Sequence, residues 1–368
     1  MPKIKIETLT PIHIGSGNDL SADIDFLFFE EKNEDNEFEE IIAVVDDEKI
    51  LKIIGEENIN IWAKIIENRK DFFEYLKQRK HDITSADIKK RIIRVYGSQT
   101  STLKEQMLDG KQIPYIPGSS IKGAIRTAVL ANKALANKKM AKKNLRDNRD
   151  KFSADKIEKK LFGNSANEDV FRFLQVGDAY FDYETIAINA KTLNLIGNGW
   201  KFKHDNQLVE CISEDSETFF NLKINNELIE KHNEKKIWLS DTDFLTFENL
   251  FSTIKNHTLQ LLKKELQFWS EENVKEDVFD NYIEKLHSLI DVGKKCRENE
   301  AIIRIGYGSG WNFITGAWAK DEAIMSDFEY DSFKKFARRK KYADQIPFPK
   351  TRKIDQNGDI LGFAKLTF

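Results

Sequence analysis

Cysteine is nearly absent: the chain of 368 residues carries two, Cys211 and Cys296. They lie far apart and form no CxxC pair, which excludes a disulfide-stapled fold and a zinc knuckle. Reduced thiols and a cytoplasmic location follow as expectations. Histidine is also scarce, with six residues, His13, His81, His204, His232, His257 and His287. None sits in an HExxH motif or a tight His-Cys-Asp cluster, so the common metalloenzyme signatures are missing and no metal or other cofactor is expected. No apolar run approaches the length of a membrane span. The opening residues, Met1-Pro-Lys-Ile-Lys-Ile-Glu, have no signal-peptide core. No membrane partner is expected.

What the chain does have is charge. Charged residues make up 32% and hydrophobic residues 40%, with a formal net charge of -3. The length suits two domains with a substantial core. The near-neutral balance argues against wrapping a polyanion over the whole surface, but the charges are unevenly spread. Glu30 to Glu40 is acidic. Lys133 to Lys160 is basic, as is Lys334-Lys-Phe-Ala-Arg-Arg-Lys-Lys341. Any one such run reads first as a solvated helix face.

Lys3 to Leu9 alternates with period two and reads as a strand. Phe26 to Phe29 and Ile41 to Val45 read as strands joined by the acidic run, an exposed hairpin loop. Ile61 to about Met107 reads as helical. Ile113-Pro-Tyr-Ile-Pro-Gly118 is a loop feeding a helix whose apolar face is Ile121, Ile125, Ala128 and Val129. Strands follow at Phe173 to Phe181, from Thr185 to about Ile224, and at Trp238 to Phe247. Phe247 to Arg297 is a long helical stretch, and Ile360 to Leu366 a last strand. This order predicts an α+β protein with two ferredoxin-like (RRM-like) domains bearing inserted helical segments. The expected division is residues 1–182 and 183–368, the second holding the insertion at about 247–297.

Three segments carry chemistry. Arg304-Ile-Gly-Tyr-Gly-Ser-Gly-Trp311 follows a strand-like run. Gly306, Gly308 and Gly310 let the backbone turn tightly and approach another molecule with its N–H groups outward. Tyr307, Ser309 and Trp311 alternate with them, so rings sit beside amides. The loop lacks the Lys of a P-loop, and Trp311 stands where a dinucleotide fingerprint needs glycine. The alternative is a turn packed by aromatics in a β-rich core. Pro117-Gly-Ser-Ser120 opens a helix with Ser119 or Ser120 as N-cap, a place that favours phosphate. Lys122 and Arg126 stand at i and i+4 behind it. The alternative is an ordinary capped helix. Gly15-Ser16-Gly17 offers a third turn beside His13, which reads as a turn residue, a phosphate donor or, less readily, a general base. Asp23/Asp25 and Asp241/Asp243 read as surface or turn carboxylates.

With these residues laid out, the chain resembles the RAMP superfamily of CRISPR-associated proteins, and within it the Csm-five family of type III-A effector complexes. Four pieces carry the resemblance: Leu9-Thr-Pro-Ile-His-Ile-Gly-Ser-Gly17, Tyr115-Ile-Pro-Gly-Ser-Ser-Ile-Lys-Gly-Ala-Ile-Arg126, Ile305-Gly-Tyr-Gly-Ser-Gly-Trp311, and Pro349-Lys-Thr-Arg352 with Leu361-Gly-Phe363. The resemblance implies RRM-like folds and a non-catalytic subunit that holds the crRNA near its 3′ end. It implies contact with a backbone RAMP subunit and a small helical subunit, and with target RNA indirectly. It adds Lys350 and Arg352 to the RNA-binding expectation. The competing reading is a metal-independent RAMP endoribonuclease of the Cas-six kind that cuts repeat RNA, with His13 as its base.

Overall fold

The computed structural model describes residues 2–33, 35–68, 71–145, 153–182, 184–196, 199–203, 206–235, 242–270, 278–313, 317–321, 324–326, 349 and 351–368. The chain opens with β1 (Lys3–Thr8), β2 (Gly15–Ser21), β3 (Phe26–Lys32) and β4 (Phe38–Val45). Short helices follow: α1 (Asp47–Ile54), α2 (Ile59–Glu67), α3 (Phe72–Arg79) and α4 (Ser85–Ile88). Next come β5 (Lys89–Val95), β6 (Thr102–Gln106), β7 (Tyr115–Ile116), α5 (Gly118–Ala136), α6 (Lys138–Lys143) and α7 (Asp155–Phe162). A run of strands leads on: β8 (Leu174–Val176), β9 (Ala179–Tyr180), β10 (Thr185–Ile196), β11 (Gly199–Phe202), β12 (Gln207–Cys211) and β13 (Glu217–Ile224). Then come α8 (Asn226–Lys235), α9 (Phe247–Ser270), α10 (Val278–Lys295), β14 (Glu300–Arg304), β15 (Thr351–Ile354) and β16 (Phe363–Thr367).

A five-stranded antiparallel sheet has the order β14-β16-β1-β13-β8. The period-two pattern of β1 puts Ile4 and Ile6 into the core and leaves Lys3 and Lys5 on the other face. Against the buried face lie α5, through Ile121, Ile125 and Val129, and α9, through Phe251 and Ile254. Burying those five side chains contributes about 1.5–3 kcal/mol each. The second sheet has the order β2-β6-β12-β10-β5-β4-β3. Its twelve-residue β10 also pairs β11 and β15 at its far end. The helices α1 and α3 cover β3 and β4, where Ile50, Phe72 and Leu76 meet Leu27 and Ala43. A third core, with Tyr282, Leu286 and Trp269 on one side and Ile302, Leu193 and Trp200 on the other, joins the α9–α10 pair to both sheets.

The α+β class is as expected, and so are the opening strand, the β3–β4 hairpin, α5 and the strands from Thr185 to Ile224. Each sheet takes strands from both sides of the 182/183 boundary. Three expectations are corrected. Helix stops at Ile88, and β5 and β6 follow where helix was expected to run on to Met107. Most of the acidic run lies within β3 and β4 rather than in a loop, with Glu30 opposite Glu40 and Glu31 opposite Glu39. Of the strand expected at Trp238 to Phe247, residues 238–241 lie outside the described residues, and Thr242–Thr246 form a turn into α9.

Candidate nucleic-acid interface

The loop after β1 and the glycine loop after β14 meet backbone to backbone. The Tyr307 N–H donates to the His13 carbonyl at 2.9 Å, and the Gly362 N–H to the Pro11 carbonyl at 3.0 Å. The Ile305 N–H donates to the Gly362 carbonyl at 2.7 Å, and the Phe363 N–H to Thr10 Oγ1 at 2.8 Å. Gly306 has φ +81°, and a Cβ there would strike the His13 carbonyl oxygen. Glycine is therefore required twice over, for conformation and for approach. Gly308 and Gly310 are also at positive φ, 81° and 70°. Arg304 ties the loop shut: Nε donates to the Leu361 carbonyl at 3.1 Å and Nη2 to the Gly308 carbonyl at 3.0 Å. Its guanidinium lies over the Phe313 and Phe363 rings, and burial pulls its pKa down to about 10.

These loops and the start of α5 enclose a groove of about 420 Å³ lined by His13, Gly15, Gly17, Lys104, Ser120 and Tyr307. Three of the four sequence pieces thus converge. His13 itself is 3% exposed. Its Nδ1–H donates to the Glu210 carbonyl at 2.6 Å, and its ring meets Tyr307 edge-on at 5.6 Å. Burial holds the imidazole pKa below its ordinary value, so the ring is neutral at pH 7. Lys104 pairs with Asp19 at 3.0 Å. Ser16 and Asn18 donate to Glu105, each at 3.0 Å. Gly15–Gly17 open β2, with a bulge between Gly15 and Asp19, rather than standing as a separate turn. Beneath the groove, buried Arg91 bridges Glu105 at 3.1 Å and Glu210 at 2.9 Å. Thr185 Oγ1 and the Gln106 N–H complete the Glu210 carboxylate, at 2.8 and 3.1 Å.

The cations expected behind the helix start are used inside the molecule. Pro117, not a serine, is the N-cap of α5, and Ser119 and Ser120 lie in its first turn. The Gly118 N–H already donates to Asp178 Oδ1 at 2.7 Å, so a carboxylate of the chain sits where a phosphate was expected. Lys122 Nζ donates to the Leu174 carbonyl at 2.7 Å, and burial lowers its pKa. Arg126 binds Asp169 at 2.8 Å and Glu158 at 3.1 Å and lies over the Phe162 and Phe171 rings.

Arg352 is likewise internal. It pairs through Nε with Glu265 Oε1 and through Nη2 with Oε2 at 2.9 Å, and lies over Phe268 and Trp269. Glu265 also accepts from Trp269 Nε1 at 2.8 Å, Tyr282 Oη at 2.7 Å and Asn312 Nδ2 at 3.3 Å. Burial opposes that charge, but Arg352 and these donors win and hold the carboxyl at about 2. The Asn312 bond fastens the end of the glycine loop to α9. Ser309 Oγ donates to the Gly306 carbonyl at 2.7 Å, and half-buried Trp311 starts a short helical turn, Trp311–Phe313. Lys350, the run 334–341, and Arg146, Arg149 and Lys151 lie outside the described residues. Among the described residues no three His, Cys, Asp or Glu are grouped to hold a metal, and no helix is long and apolar enough to cross a membrane.

Sequence reasoning passed over Arg91, Glu210, Glu265 and Arg304. A signal existed for Glu265: it stands on the same stripe as Leu262 and Trp269, and a lone carboxylate on an apolar stripe demands a partner.

Residues 5–313 match the RAMP superfamily. The chain is 27% identical over 320 residues to the protein of Methanocaldococcus jannaschii named CRISPR system Cms protein Csm5, covering 84% of this chain and 71% of that one. It superposes with a TM-score of 0.74 on a chain of a cryo-EM structure of a Csm–crRNA–target RNA ternary complex from a type III-A CRISPR-Cas system, at 19% identity and complete coverage of both. Against the crystal structure of T. onnurineus Csm5 the TM-score is 0.65, at 17% identity and with 98% and 99% of the two chains covered. The interlocked loops, the mixed sheets and the matched span together make this chain a member of the RAMP superfamily.

Proposed function

We propose that the chain is a non-catalytic RNA-binding subunit of a type III-A CRISPR effector complex that caps the crRNA 3′-end side and supports crRNA maturation in antiviral defence. The observation that carries this reading is the groove where the His13 turn, the first turn of α5 and the glycine loop meet. It offers a ring, Tyr307, together with hydroxyls and glycine backbone, which suit an RNA held by backbone and stacking contacts without sequence reading. Stacking on such a ring contributes about 1–3 kcal/mol per base. The chain's own cations near it are paired, so useful affinity requires neighbours: a backbone RAMP subunit, a small helical subunit and the crRNA itself, with target RNA met only through the guide. The likeness to Csm5 and to a chain of a Csm–crRNA–target RNA complex supports the assignment to such a complex.

Reconstituting the complex with and without this chain tests the reading. With it, the crRNA is expected to co-purify and its 3′ end to be protected from added nuclease. Identical subunit content and 3′ ends without it would overturn the proposal. The endoribonuclease alternative finds little support at His13, whose ring is 3% exposed and so shielded from an RNA hydroxyl. His13→Ala should leave RNA cleavage by the purified, chelator-treated chain at the parental level. Loss of a robust parental cleavage would promote the nuclease reading.

A further inference from the structure

A second groove, about 710 Å³, opens between the C-terminal half of α5, α9 and the short helical turn Ala317–Lys320. It is lined by Lys138, His257, Gln260, Lys264, Trp318 and Lys320. Two observations set it apart from the first. Among the described lining residues the charge is cationic: against three lysines stands Asp321, which Lys138 holds at 3.0 Å. Lys264 and Lys320 are exposed. Burial and neighbouring Lys264 push the His257 pKa down to about 4, so at neutral pH His257 and Gln260 supply hydrogen bonds rather than charge. The second observation is Trp318. It is 6% exposed, and its Nε1–H has no hydrogen-bond partner among the described residues. An indole N–H can only donate, so a buried one without a partner among the described residues is open to an acceptor brought to the groove.

We propose that this groove holds one or two nucleotides of single-stranded RNA, with phosphate oxygens between Lys264, Lys320 and Lys138 and an acceptor oxygen on Trp318 Nε1. The inference rests on the reading of the chain as an RNA-binding subunit and gives the RNA a second point of contact. Continuity supports it, because Asn312, directly after Trp311 of the glycine loop, also lines this groove. Half-buried Phe268 in its wall offers a base a ring surface, which favours RNA over an acidic protein segment.

The test measures binding of a short labelled oligouridylate to the full chain by fluorescence anisotropy over a salt series. Lys264→Gln with Lys320→Gln is expected to weaken binding at least about tenfold and to lower the salt slope by about 0.7 per lysine removed. Trp318→Phe keeps the ring and loses the N–H; it is expected to weaken binding about 2- to 10-fold with the slope unchanged. Both lysines are exposed, so circular dichroism should match the parent. If the parent binds RNA and the lysine variant binds equally well with the same slope, the groove is not an RNA site, while the RNA-binding reading stands. If the parent binds no RNA even at low salt, the groove assignment falls, while the reading of the chain as a subunit that holds RNA together with its neighbours is decided by the reconstitution. If polyglutamate displaces the RNA at equal charge concentration from the parent but not from the lysine variant, the groove belongs to an acidic protein segment and the RNA occupant is wrong.

Discussion

Glu265 shows how one side chain can hold two motifs in place. A buried carboxylate persists only when its partners are complete. Here Arg352, Tyr282, Trp269 and Asn312 supply them. Arg352→Ala should therefore cost about 3–5 kcal/mol, because it strands the carboxylate, and urea denaturation would show it. Near-parental stability in that variant would mean that the pair is dispensable. The pH dependence has a definite sign. The carboxyl sits at about 2 when folded against an ordinary 4.5, so its contribution is present above about 4.5 and fades as pH falls toward 2. Asp355 behaves in the opposite way. Its side chain accepts from the Asn357 and Asp359 N–H groups in a tight turn, yet burial raises its pKa from 3.8 to about 6. Folding thus favours the protonated acid: the benefit is full below about 3.8 and lost as pH rises through about 6. Asp355→Asn keeps the acceptor without the charge. It should match or exceed parental stability at pH 7, with the gap closing by pH 4; a large loss at pH 7 would contradict this.

Among the elements, the glycine loop separates two kinds of glycine. At Gly306 a Cβ meets both a positive φ and the His13 carbonyl, whereas at Gly308 the nearest atom is Lys353 Cβ at 3.4 Å. Backbone strain of about 1–2 kcal/mol applies to alanine at either site. Gly306→Ala should cost more, since the docked turns must also part, and it should empty the groove of its shape. Equal unfolding midpoints for the two variants would refute that ranking. The loop was legible in the sequence, because three alternating glycines after an apolar strand announce a tight turn. So was α5, from its apolar spacing. The strands β5 and β6 were not. Lys89-Lys-Arg-Ile-Ile-Arg-Val95 is short, charged and adjacent to real helices, and only pairing with β4 and β10 makes it a strand. The serine cap failed for a related reason. The helix start was taken by Asp178, a residue sixty positions on, which no local pattern announces. Arg91 with Glu210 and Arg352 with Glu265 are separated by 119 and 87 positions, so each cation looked like surface charge.

At the scale of the molecule, the two halves of the chain are woven together rather than set side by side. β1 lies between β16 and β13, and β10 and β12 lie between β5 and β6. A fragment of residues 1–182 therefore lacks both neighbours of β1 and should show no cooperative thermal transition. A sharp melt with native-like circular dichroism would show that the first half folds alone. The weave also sets an order in time. During synthesis, β1 emerges before both of its partners and gains its second neighbour only when residues 217–224 and 363–367 have both been made. At about 5–20 residues per second, that leaves the opening strand waiting for roughly 20–70 s. The His13 turn waits with it, since Tyr307, Gly362 and Phe363 are among its anchors. A chain cut before residue 363 would keep the Tyr307 anchor of the His13 turn but lose the Phe363 N–H donated to Thr10 Oγ1 and the strand that holds β1 on that side. The two ends of the chain thus act as a clasp, and the first groove takes its final shape only when the last strand is in place.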